Sequence, residues 1–398
     1  MKVLMLHNRY RERGGEDYST AAEVELLRSA GIGCVFHQVD NRDMKETGAA
    51  AAIDAIWSRR AVRDVSQIVA DSGIDVVHVQ NFFPQLSPAV HWAAKRGGAA
   101  VVQSLRNYRL ACVNGQFFRQ GRLCEDCLGR SPVRGVIHGC YRGVAASGAV
   151  AAMLMVHRTI GTWTKKVDRF IAISNFTRVK MIEAGLPAEM IDVKPNFLEF
   201  IPPEPRASGD GYFVYVGRLS GEKGLRCLLD AWKLLPKPVP GLKIVGRGPL
   251  EDLVKSAAAA TPEIQALGPK SPEEVLEIVG RAEALVFPSE WYETFGRVAM
   301  EAYAVGTPLI ASDIGAVAEI VDDGVTGLRF RAGSATDLAA KVQQLASNPD
   351  RRAAMRLAAR KAFLTRYTAG DNLKMLLAIY ERALQSRAGN QGRAREPA

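Results

Sequence analysis

The sequence predicts an α/β protein made of two doubly wound, parallel-sheet domains, and three observations carry that prediction. Its 398 residues exceed what one ordinary core organises. Short apolar runs recur through both halves, each closing on a polar or small residue and followed by a helix-compatible stretch, which is the pattern of βα units. Between the two series lies a breaker-rich stretch, with Pro195, Pro202, Pro203 and Pro205 ahead of Ala207-Ser208-Gly209-Asp210.

In the first half, Lys2 to Asn8 reads as a buried strand that runs into Gly14-Gly15 and then a helix from about Glu16 to Ala30. Strand, glycine loop and helix N-terminus together favour anions, and paired glycines let backbone approach them. The spacing is not that of a dinucleotide fingerprint, so a plain tight turn stands beside the ligand reading. Further strands are expected at Cys34 to Val39, Asp75 to Val79, Ala100 to Leu105 and Asp168 to Ser174. Ligands of such sheets sit beyond the carboxyl ends of the strands. His78, Asn81, Arg106, Asn107, Tyr108, Arg109 and Ser174 all fall there. Each equally fits a strand cap, and His78 a satisfied core histidine.

Between Arg109 and Cys140 the alternation breaks. Cys112, Cys124, Cys127 and Cys140 surround one CxxC among short glycine turns, which admits a structural zinc site, a redox pair or unligated buried thiols. From Arg130 to Lys166 there is no acidic residue, while Arg130, Arg134, Arg142, Arg158, Lys165 and Lys166 are basic and Ala149 to Val156 is apolar. That combination suits an anionic membrane face, and equally a buried helix with a solvated basic rim.

Composition narrows the classes. With 47% hydrophobic and 24% charged residues the chain is globular, not disordered. The first apolar run is too short for a secretory leader and no window is long enough to span a membrane, so a cytoplasmic protein with reduced cysteines is expected. Of the net charge of +10, the first 200 residues supply 26 basic against 19 acidic side chains. An anionic partner is therefore expected on that half. Nucleic acid is not expected, because no recognition module accompanies the charge.

The second half repeats the architecture, with strands expected at Tyr212 to Val216, Leu242 to Val245, Ile264 to Leu267, Ala284 to Phe287 and Pro308 to Ala311. Pro288-Ser289 ends one strand and Glu293 follows in the loop. Thr294 can cap the next helix, which contains Glu301 and stops at Gly306. Strand Tyr212 to Val216 opens into Gly217-Arg218-Leu219-Ser220-Gly221-Glu222-Lys223-Gly224. Arg218 and Lys223 would reach the edge from which Glu293 and Glu301 emerge. These four are either weak surface ion pairs or a divided grip, in which cations take a diphosphate and acids take hydroxyls.

The motifs VGRLSGEKG at 216–224, IVGRGP at 244–249 and the E-x7-E pattern from Glu293 to Glu301 resemble the donor domain of retaining family 4 glycosyltransferases of the GT-B fold. The first half, with its Gly14-Gly15 loop and its segment running from Asn107 through the CxxC, is similar to some bacterial polysaccharide-assembly members.

The resemblance implies two Rossmann-like domains facing a cleft. They are an acceptor-side domain at 1–200 with a Cys-rich insertion at about 110–142, a linker at 201–211 and a donor domain at 212–365. A C-terminal helix at 366–386 returns to the first domain, and a polar tail at 387–398 is expected to be disordered. It implies transfer of a sugar, with retention and without an obligatory metal, from a UDP- or GDP-sugar to a hydroxyl of a saccharide or lipid-linked acceptor. The basic, partly apolar first half would place such an enzyme in the cytoplasm, peripheral at the inner face of the plasma membrane.

By the same resemblance Arg218 and Lys223 bind the diphosphate, Glu293 the sugar and Glu301 the ribose. The backbone at Phe295, Gly296, Arg297 and Val298 meets the phosphates, and Gly217, Gly246 and Gly248 border the nucleotide. Gly14, Gly15, His78, Arg106 and Asn107 belong to the acceptor side. Family members commonly carry histidine where this chain has Arg106, and arginine cannot act as a base near neutrality. Two other readings therefore stand: an epimerase or phosphorylase on the same fold, and a catalytically silent sugar-nucleotide or membrane-binding subunit.

Overall fold

The computed structural model describes residues 1–11, 14–44 and 48–393, with side chains up to Arg387. The chain divides into two units: residues 1–117, 125–196 and 369 onward form the first, and 118–124 with 197–368 the second.

The first unit is built on β1 (Lys2–Arg9), β2 (Gly33–Asp40), β3 (Val76–Asn81) and β4 (Ala100–Leu105). The hairpin β5 (Phe118–Arg119) and β6 (Arg122–Leu123), which belongs to the second unit, comes in the chain before β7 (Arg169–Ala172) and β8 (Ile191–Val193) of the first. The six long-range strands make one sheet of order β2-β1-β3-β4-β7-β8, parallel throughout. Both β3 and β4 are buried at every residue, their polar His78, Gln80, Gln103 and Ser104 included, as strands covered on two faces are. Helix Ala369–Arg393 closes this unit, with Leu376, Ile379, Tyr380 and Ala383 in one core with Val3, Met5, Val76 and Val102. It continues past the Ser386 at which the sequence places its end, and 394–398 of the expected tail lie outside the described residues.

The second unit contains β9 (Tyr212–Val216), β10 (Gly241–Val245), β11 (Ile264–Gly268), β12 (Leu285–Phe287), β13 (Leu309–Ser312) and β14 (Gly327–Phe330). Their order is β11-β10-β9-β12-β13-β14, again parallel throughout. Strand order reverses between β9 and β12. At such a switch point the loops leaving the two central strands diverge to opposite faces of the sheet and open a crevice for a ligand. The loops that leave β9 and β12 are 217–224 and 288–296, which carry Lys223 and Glu293.

Candidate functional site

Three loops of the second unit are laced together at that crevice. Gly217 N–H donates to Val245 O (3.0 Å) and Leu219 N–H to Arg247 O (3.0 Å), so the loops after β9 and β10 run side by side. Gly246 permits this approach: its φ is +139°, and a Cβ there would lie 1.9 Å from the Gly217 carbonyl oxygen. The loop after β9 then makes a short turn at Gly221–Lys223 and packs on the end of β12. Gly224 fixes that packing, because at φ +70° a Cβ would fall 1.8 Å from Pro288 O. Glu290 N–H adds a hydrogen bond to Glu222 O (2.9 Å).

These contacts bring Lys223 against Glu293. Three donors converge on Glu293 Oε1: Lys223 Nζ at 2.5 Å, Ser289 Oγ at 2.8 Å and Trp291 Nε1 at 2.9 Å. Glu293 is 6% exposed, so the carboxylate is held at the crevice with little water to compete. The Lys223 ammonium also lies 5.1 Å from the Trp291 ring centroid, a cation–π contact that limits where it can swing. Arg218, on the same loop, is exposed, and its carbonyl accepts a hydrogen bond from Tyr215 Oη at 2.8 Å. Burial, with Glu293 and Glu222 nearby, pushes the Tyr215 phenol far up, so it stays a donor that props the Arg218 turn.

Glu301 stands on helix Arg297–Ala304 and accepts from Arg297 Nε at 2.8 Å, one turn away. The helix begins after Gly296, not at Thr294, so Phe295 and Gly296 belong to the loop. Phe295 is buried, with its ring edge-on to Tyr367 at 5.8 Å. Ser289, Trp291 and Tyr215 were not singled out by the sequence reading. The proximity of Ser289 and Trp291 to Glu293 in PSEWYE is the one signal that could have found them.

In the first unit, Gly14 precedes helix Gly15–Ser29 and its N–H donates to Asp17 Oδ2 at 2.8 Å. Asp17 Oδ1 pairs with buried His7 Nε2 at 2.8 Å, which ties the helix start to β1. Tyr10 Oη donates to Glu16 Oε2 (2.9 Å) and receives Asn107 Nδ2 at 3.3 Å. Burial raises the Glu16 carboxyl pKa, against the lowering effect of His7 and Arg106.

His78 and Arg106 are employed inside the fold. Arg106 is 7% exposed and donates to Gln80 Oε1 (2.5 Å) and Asn196 Oδ1 (2.8 Å), with Glu23 Oε2 3.2 Å from its guanidinium. Glu23 is also paired with buried Lys194, whose ammonium donates to Asn372 Oδ1 at 2.9 Å. Burial alone would lift the Glu23 carboxyl, but Lys194 and Arg106 hold it down at about 2. His78 lies between Tyr380 Oη and Ser104 Oγ, each at 2.8 Å, and burial lowers its pKa to about 3. Burial likewise holds His91 at about 4.

These two imidazoles make stability depend on pH. Below an ordinary pKa of 6.5 the unfolded chain takes up protons that the folded chain refuses, so stability falls as pH falls through the window from 6.5 toward 4 and 3. At pH 5 each histidine is expected to cost about 2 kcal/mol relative to pH 7. Thermal melts at the two pH values should show that loss, and His91→Gln should reduce the slope.

Among the described residues no three His, Cys, Asp or Glu side chains come together to hold a metal, and no cysteine is in a disulfide. Cys112 Sγ instead donates to Asn114 Oδ1 at 2.9 Å, within turns closed by Ala111 N–H and Cys112 N–H on Tyr108 O. Tyr108 packs its ring 4.8 Å from Phe117 and both are fully buried, so a small aromatic core organises this segment.

Residues 197–362 match the family described as glycosyl transferases group 1, and residues 19–196 match the glycosyl transferase 4-like domain. The chain belongs to the GT-B glycosyltransferases. It is 36% identical over 230 residues to the glycogen synthase of Mycobacterium tuberculosis, covering 55% of this chain and 55% of that protein. It is 30% identical over 185 residues to the D-inositol 3-phosphate glycosyltransferase of Corynebacterium kroppenstedtii, covering 43% and 40%. The matched stretches thus span about half the length of these curated relatives.

The backbone follows HepE of Anabaena, solved in complex with UDP, with a TM-score of 0.67 and 18% identity over 95% of this chain and 99% of that one. It also follows sucrose-phosphate synthase of Thermosynechococcus elongatus, with a TM-score of 0.71 and 18% identity over 97% and 100%. At these identities the likeness speaks for the fold.

Proposed function

We propose that this GT-B protein transfers a glycosyl group from a nucleoside diphosphate sugar to a hydroxyl, with retention at the anomeric carbon. The observation that supports it most is the Lys223–Glu293 pair at the switch point of the second unit, where one loop offers a cation and the next a carboxylate. In the reaction the bond from the anomeric carbon to the diphosphate oxygen breaks and one to the acceptor oxygen forms. The acceptor proton leaves with the diphosphate. Lys223 and Arg218 stabilise the charge that builds on the departing diphosphate, and the backbone from Phe295 to Val298 receives its oxygens. Glu293 accepts hydrogen bonds from sugar hydroxyls, and Glu301 from the ribose. Gly217, Gly246 and Gly248 border the nucleotide, where Gly246 and Gly248 let the loops after β9 and β10 pack side by side. These residues supply the leaving-group charge stabilisation themselves, so no metal is assigned a role. HepE was solved with UDP and with UDP-glucose, which favours a uridine donor here.

Gly14, Gly15 and Asn107 are assigned to the acceptor side, where Arg106 and His78 act by holding strand ends in place. The acceptor is a saccharide or lipid-linked saccharide of polysaccharide assembly, in keeping with the basic first half. The test is incubation with UDP- and GDP-hexoses, with and without lipid-linked acceptors, followed by nucleotide release and NMR of the product. Acceptor-dependent release with a retained anomeric configuration is expected. Conversion of the sugar nucleotide without any acceptor, or an inverted product, would overturn the reading.

A further inference from the structure

One surface of the first unit has no part in the donor site. It is the corner between helix Val133–Ile137 and helix Val144–Thr159. The longer helix buries Ser147, Val150, Ala151, Met153, Leu154 and His157, so half of the apolar run Ala149–Val156 serves the core. What remains outward is different. Val133 and Ile137, four residues apart and so on one helix face, are 45% and 70% exposed, and Val144 is 62% exposed. Met155, 41% exposed, shares the stripe of Val144, eleven residues on. Large branched side chains are thus presented to water on a tight corner, where Gly139 lies against the Gly143–Val144 backbone.

The charge around them is mainly positive. Arg130, Arg134 and Arg142 are exposed and alternate in sequence with the apolar positions, and no Asp or Glu occurs from Arg130 to Lys166. The carboxylate recorded against this corner among the described residues is Asp126, 4.0 Å from exposed His138. Apolar tips ringed by arginines complement a surface with negative headgroups outside and hydrocarbon beneath. An acidic protein partner would satisfy the arginines and leave Ile137 and Val144 without a matching phase.

We propose that this corner docks on an anionic phospholipid surface, with Val133, Ile137 and Val144 entering the headgroup boundary and Arg130, Arg134 and Arg142 contacting lipid phosphates. The docking rests on the proposed function only in that it would bring a lipid-linked acceptor within reach.

The test is co-sedimentation of the whole protein with phosphatidylcholine vesicles, with and without phosphatidylglycerol, at low and high salt. Binding should require phosphatidylglycerol and weaken with salt. Ile137→Asp with Val144→Asp, and separately Arg134→Glu with Arg142→Glu, should each weaken it by about tenfold or more. Leu357→Asp, at an equally exposed apolar position of the second unit, should leave binding unchanged. Unchanged melting temperatures would show that the variants fold. Equal binding to neutral vesicles, or full binding by the Ile137/Val144 variant, would overturn the proposal. So would a concentration-dependent dimer abolished by that variant, which would make the corner a self-contact. A failure of the donor reading is separate: nucleoside diphosphates would not raise the melting temperature, while vesicle binding would persist.

Discussion

Lys223→Ala is expected to lower kcat by about 10²–10³-fold, the range for removing one preorganised donor from a developing negative charge. Nucleotide affinity should fall with it, because a charge-assisted hydrogen bond is worth about 1.5–3 kcal/mol. The fold should survive: Lys223 is partly exposed, and Glu293 keeps Ser289 and Trp291 as donors. Glu293→Ala separates the two roles. Without its carboxylate partner, Lys223 is freed toward phosphate, so a nucleoside diphosphate should bind at least as well as to wild type. The sugar loses its acceptor, so kcat should still fall by a factor comparable to that of Lys223→Ala. Equal loss of nucleotide affinity in both variants would mean that Glu293 only positions the lysine.

The second large effect concerns stability. Glu23→Ala leaves Lys194 and Arg106 buried without their carboxylate, and breaking a buried pair by removing one partner costs about 3–5 kcal/mol. For a unit of this size that is a fall in melting temperature of roughly 10 °C. Glu23→Gln keeps the shape and part of the hydrogen bonding, and should fall between the two. Calorimetry decides it, and a melting temperature unchanged in Glu23→Ala would show that the cluster contributes nothing net.

The fold was legible because parallel strands covered on both faces must be apolar runs, as Val3–Leu6 and Tyr212–Val216 are. The edge strands Ile191–Val193 and Gly327–Phe330 were not, since three or four residues give too little pattern. The meeting of Lys223 and Glu293 was legible in the glycines and charges of two loops, because those loops leave the neighbouring strands β9 and β12 at one sheet edge. What sequence could not give was partnership: Glu23 and Lys194 stand 171 positions apart, and nothing local marks Arg106 as their neighbour. The cysteine spacing admitted zinc, a redox pair or unligated thiols, and among the described residues no three metal-ligating side chains are gathered.

The central claim is that the second unit holds a nucleoside diphosphate at Lys223 and Arg218. Calorimetric titration of UDP, GDP and ADP into the wild type, Lys223→Ala and Arg218→Ala tests it most directly. One nucleotide should bind the wild type, with affinity lowered about tenfold or more in each variant, since 1.4 kcal/mol is a factor of ten. Absence of binding by any of the three, or equal affinity in wild type and both variants, would contradict it.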